Sequence, residues 1–149
     1  MKRTPNAQRP KPKIEFGGSR VAETGDGEYG VRRKYDLEER LLNFTADIVS
    51  LADSLPSTKA GNHIAGQLLR CGTSPLANHG EVEAAESRKD FLHKLRVCLK
   101  ELRETWRWLR LIGRLELVES AKLRSILTEV EELIRIFAAS VRTTEKNAR

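Results

Sequence analysis

One stretch, Ser87 to Gly113, restricts the fold of this chain more than any other, because three helical stripes run through it at once. Leu92, Leu95, Leu99, Leu102, Trp106 and Leu109 recur at alternating steps of three and four residues, the spacing that lines side chains up along an α-helix. Phe91, Cys98, Thr105 and Ile112 repeat every seven residues beside that line and widen it into the broad apolar face of a helix packed among several others. Arg96, Lys100, Arg103, Arg107, Arg110 and Arg114 form a basic ladder on the other flank. Val97, Trp108 and Leu111 fall outside both stripes and predict a second contact surface, an oligomer interface.

The other amphipathic segments need partners of the same length. Asp36 followed by Glu39 reads as a helix start, and Leu37, Leu41, Phe44, Ile48, Leu51 and Leu55 continue a helix from about Leu37 to Ser54. Pro56 disfavours the α conformation at Leu55 and ends it. Ser57 or Thr58 opens a second helix with Ile64, Leu68, Leu69, Leu76 and Val82 on its face. That helix is rich in Gly and Ala, which lets neighbouring backbones approach closely. Pro75 lies in its middle, a defect of roughly 3 kcal/mol in a regular helix, so Gly72 to Pro75 should mark a kink or a short break. Ser87 with Asp90 starts the third helix and Gly113 is placed as its left-handed terminator. A fourth helix follows from about Val118 to Thr143, with Leu123, Ile126, Leu127, Val130, Leu133, Ile134, Phe137 and Val141 on its face. The predicted fold is all-α, an antiparallel up-and-down four-helix bundle over residues 35–147.

Residues 1–34 read differently. They hold three of the five prolines, five of the ten glycines, nine cations and four anions, with no amphipathic period, and are expected to be a disordered basic tail. Lys and Arg outnumber Asp and Glu by 27 to 21 in the whole chain, but within Arg88 to Arg114 nine cations face only Asp90, Glu101 and Glu104, a local net of +6. Such polarisation suits nucleic acid, an acidic protein or an anionic membrane. Cys71 and Cys98 are the only cysteines, too few for a disulfide framework, and no signal peptide or long apolar run occurs. A cytoplasmic protein without a membrane span is expected.

Catalytic signals are weak. A di-iron bundle needs Glu-x-x-His on two helices, and only Asp90 with His93 comes near. His63, His79, Cys71 and Cys98 lack the spacing of a zinc site, Ser74 has no glycine elbow, and no phosphate-cradling glycine loop is present. No metal, no cofactor and no enzymatic activity are expected. Gln67, Arg70, Thr73, Ser74, Asn78 and Glu81 crowd the region of Pro75, where capping of freed backbone groups is favoured over catalysis. The ladder has two readings of equal weight, ligand binding or arginine stems covering the core edge and pairing with acids on the next helix, with Glu101 and Glu104 also within reach of arginines in the same helix.

Residues 66–105, GQLLRCGTSPLANHGEVEAAESRKDFLHKLRVCLKELRET, together with YDLEERL from Tyr35, resemble the bacterial four-helix-bundle proteins encoded in intervening sequences of large-subunit ribosomal RNA genes. The motif that carries the resemblance is Gln67, Arg70, Ser74, Asn78 and Glu81. A related bundle is the accessory variability protein of diversity-generating retroelements. The resemblance implies a homopentamer with a basic surface, no catalysis, and nucleic-acid binding with RNA favoured. The retroelement relative implies an alternative, a scaffold that binds a reverse transcriptase.

Overall fold

The computed structural model describes residues 37–147. The expected capping by Asp36 and the expected disorder of residues 1–34 lie outside them. Four helices fill this span, α1 (Leu37–Asp53), α2 (Lys59–Glu83), α3 (Arg88–Arg114) and α4 (Ser120–Lys146), with no strand among the described residues. Each packs on the next in sequence and α4 makes a slighter contact back to α1, while the diagonal pairs do not approach closely. Cross-helix pairs fix the direction. Arg70 reaches Glu101 and Glu104 while Glu81 reaches Lys94, so α2 and α3 are antiparallel. Arg40 meets Glu129 and Ser50 meets Lys122, so α1 and α4 are antiparallel too. This is the expected up-and-down bundle.

Its core is built from the predicted seams. Leu41, Phe44, Ile48 and Leu51 of α1, Leu68 and Val82 of α2, Leu95, Leu102, Leu109 and Ile112 of α3, and Val130, Leu133 and Phe137 of α4 are all essentially inaccessible. On α3 the buried face is rotated relative to the leucine line: Cys98 and Thr105 are fully buried, whereas Leu92 and Trp106 are only half-buried at the edge. Thr58 and Ser87 cap α2 and α3 as their types predict, accepting the amides of Gly61 at 3.0 Å and Asp90 at 3.1 Å.

α2 does not break at Pro75; it is helical from Lys59 to Glu83. Side chains beside the proline bond neighbouring carbonyls. Thr73 donates its hydroxyl to the Leu69 carbonyl at 2.7 Å, Asn78 donates to the Ser74 carbonyl at 3.0 Å and hydroxyl at 2.7 Å, and the Cys98 thiol of α3 points to the Pro75 carbonyl at 3.9 Å. Pro75 itself is buried, so tertiary packing offsets the local helix defect. Gly72 marks the closest approach of α1: a Cβ there would lie 2.6 Å from Ile48 Cγ2.

The end of α3 differs from expectation. Gly113 is not a left-handed terminator but sits inside the helix, where an added Cβ would meet Leu123 of α4 at 2.9 Å. The left-handed residue is Glu116, at φ 52°. The Leu117 amide reaches the Ile112 carbonyl at 3.2 Å and the Glu116 amide reaches that of Gly113 at 3.1 Å, a Schellman closure with Glu at the position that favours glycine. This closure delays α4 to Ser120 rather than Val118, and α4 continues to Lys146 rather than Thr143. A Glu116→Gly variant should therefore gain about 1 kcal/mol, read as a higher urea midpoint at unchanged slope.

Candidate functional site

The outer face of α3 is the most distinctive chemical feature of the bundle. Arg96, Lys100, Arg103, Arg107, Arg110 and Arg114 are all exposed and lie in one line facing away from the core. Arg96 pairs with Glu145 of α4 at 2.5 Å, and Arg107 donates to the Arg103 carbonyl at 3.1 Å. Among the described residues no carboxylate pairs with Lys100, Arg103, Arg107, Arg110 or Arg114. Arg110 instead lies over the Trp106 ring, 4.5 Å from its centroid, and the Trp106 indole N–H donates to Glu131 of α4 at 3.1 Å.

The acids of α3 point elsewhere. Glu101 and Glu104 pair outside their own helix; both turn to Arg70 of α2, the first at 3.3 Å. The resembled motif is thereby placed: Gln67, Arg70, Ser74, Asn78 and Glu81 follow one another at steps of three and four along the edge of α2 that borders α3. Arg70 and Glu81 cross to α3, Asn78 and Ser74 bond each other beside Pro75, and Gln67 is half-buried on the same edge. In this structure the motif joins two helices. Trp108 also sits on this border, half-buried with its ring edge-on to His63 at 6.1 Å. Val97 is half-buried and Leu111 is 38% exposed.

Nothing in the described residues gathers reactive groups. Burial pushes the Cys71 thiol up and the Cys98 thiol up to about 12, so both remain protonated at neutral pH and are poor nucleophiles. The Lys94 ammonium, 2.8 Å from Asp90, holds that carboxyl below its usual range, with the Glu86 amide adding to the effect. Asp90 is thus engaged at the start of α3. No group of three or more His, Cys, Asp or Glu side chains could hold a metal among the described residues. Among the described residues no helix is long and apolar enough to cross a membrane. A shallow open cavity of about 550 Å³ at the α3–α4 turn is lined by Gly113, Glu116, Val118, Ser120, Leu123, Arg124 and Leu127 and presents no such cluster.

A family model described as 23S rRNA-intervening sequence protein matches residues 33–139, all of α1 to α3 and most of α4. The chain belongs to that family. The crystal structure of a protein of unknown function from the S23 ribosomal protein family of Bacteroides thetaiotaomicron is 34% identical, covering 71% of this chain and 98% of that one, with a TM-score of 0.67. No curated protein matches the chain.

Two features of this intervening-sequence family member were not foreseen from sequence. Leu42 and Val49, 49% and 39% exposed, form an apolar pair seven residues apart on the outer side of α1. Their spacing off the α1 seam is the signal that would have revealed them. The second is the Arg70–Glu101 link, whose partners are 31 residues apart on different helices. Replacing Arg70 by Met leaves Glu101 almost buried without its cation and should cost about 2 kcal/mol. Adding Glu101→Gln should cost less than the sum of the two single changes, and chemical denaturation of the four proteins in the cycle measures that coupling.

Proposed function

We propose that this protein is a non-catalytic, self-associating bundle that binds nucleic acid, RNA before DNA, through the outer face of α3. The observation that supports it is the row of five exposed cations without carboxylate partners among the described residues, on a helix that turns Glu101 and Glu104 to α2. Surface arginines kept for stability are normally matched by acids nearby, as Arg96 is by Glu145. Cations aligned over about four turns of helix instead match the repeated charge of a phosphate backbone. Family membership favours RNA, since the family description refers to sequences within ribosomal RNA.

Self-association is the other half of the reading. Leu111 and the edge of Trp108 and Val97 supply one apolar surface, Leu42 and Val49 a second, and exposed pairs of this kind mark protein contacts. The number five comes from the family resemblance and a closed ring from cyclic symmetry. Light scattering at micromolar concentration should report about five chains, and Trp108→Glu should reduce that number at unchanged helical content; a wild-type monomer would contradict it.

A competing reading makes the same apolar surfaces and ladder the contact for an acidic protein such as a reverse transcriptase. Salt titration separates the two. Binding of RNA through the ladder should weaken steeply with salt, and Arg103→Ala with Arg107→Ala should lower the slope of log affinity against log salt by about two units without unfolding the bundle. Deletion of residues 1–34 is the control for the basic tail. If that deletion abolishes binding while the double variant changes nothing, the ladder assignment is wrong. If no nucleic acid binds at low salt and the double variant loses a protein partner, the scaffold reading replaces it.

A further inference from the structure

The following rests on the nucleic-acid reading above and narrows its ligand. The geometry points to Trp106 and Arg110 as a stacking platform for an unpaired base, so that the α3 face takes single-stranded segments in preference to duplex. Trp106 has the sequence spacing of a core residue yet stays half-buried at the edge of the bundle. Its ring is pinned by the indole N–H bond to Glu131 on α4 and covered by the exposed Arg110 guanidinium, 4.5 Å from the ring centroid. The result is a planar cation lying on a planar ring, with its outer side in solvent and Arg103, Arg107 and Arg114 on the same face of the helix.

Phosphate is attracted anywhere along the ladder, but this pair is the only ring–cation stack among the described residues that the ladder contains. A guanidinium already resting on an indole has lost much of its rotamer freedom, so a base laid on it orders little that is not ordered already. Bases stack on aromatic and arginine planes with little regard for sequence, because every base has a π-face. A duplex keeps those faces covered by its own neighbours, so only unpaired nucleotides gain from the platform. Charge also orients the strand. The Glu131 carboxylate at the indole edge repels phosphate but not a neutral base, which leaves the backbone to run along Arg103, Arg107 and Arg114 while a base turns toward Arg110.

The test uses the full chain carrying Trp108→Phe, so that Trp106 is its remaining tryptophan. The probes are a single-stranded oligoadenylate RNA and a blunt RNA duplex of equal charge. Single-stranded RNA should quench Trp106 emission and bind more tightly than the duplex. Arg110→Lys keeps the charge and loses the plane; it should weaken single-stranded binding about tenfold, leave the salt slope unchanged and leave duplex binding as it was. If Arg110→Lys affects both probes alike or neither, or if binding occurs without quenching, the platform is overturned while the ladder reading stands. If neither probe binds the parent protein at low salt, the nucleic-acid reading fails and the platform falls with it. Because Arg110 is exposed, its replacement by Lys tests the idea even where Trp106→Leu disturbs the fold.

Discussion

The buried end of Glu101 is the constraint on which much of this bundle depends. A carboxylate that is only 8% exposed sits where the core face of α3 meets α2, a place that tolerates charge only if a cation comes with it. Arg70 reaches across from α2 to supply that cation and takes Glu104 as well. Two of the three acids of α3 are thereby directed inward, and the third, Asp90, is held by Lys94 near the helix start. Nothing acidic on α3 is left to neutralise its outer face. One cross-helix link therefore joins the two most extensively packed helices and leaves an unmatched row of positive charge on the surface.

The same edge runs past the proline that α2 carries without breaking. Between the Arg70 and Glu81 crossings, Thr73 and Asn78 bond backbone carbonyls on either side of Pro75, and Asn78 also bonds the Ser74 hydroxyl. The polar residues around Pro75 serve here as local backbone partners. Behind them Gly72 lets Ile48 approach, so α2 is clasped on one side by charge and on the other by close apolar contact. The helix is kept continuous along its length by its neighbours rather than by its own propensity.

What was legible in the sequence was local. Heptad spacing located all four helices, and Thr58 and Ser87 announced their caps, because a cap bond spans three residues. Gly113 misled for the opposite reason: it was read by its usual local effect, whereas its actual surroundings come from another helix, at Leu123. The pairing of Glu101 with Arg70 was not legible because helical spacing shows near neighbours and hides those 31 residues away. Trp106 followed the core spacing but lies at the turn of the face toward α4, where it is only half-buried. The ladder was fully visible as a pattern; its lack of acidic partners became evident only with the helices in place.

The account stands on the claim that the outer face of α3 is the surface that meets nucleic acid. Ultraviolet crosslinking of a uniform single-stranded RNA to the intact chain, followed by mass spectrometry of the peptides, tests it most directly. Crosslinks are expected in α3 peptides between Arg96 and Arg114, with few on α1. Crosslinks confined to residues 1–34, or spread evenly over all four helices, would contradict it.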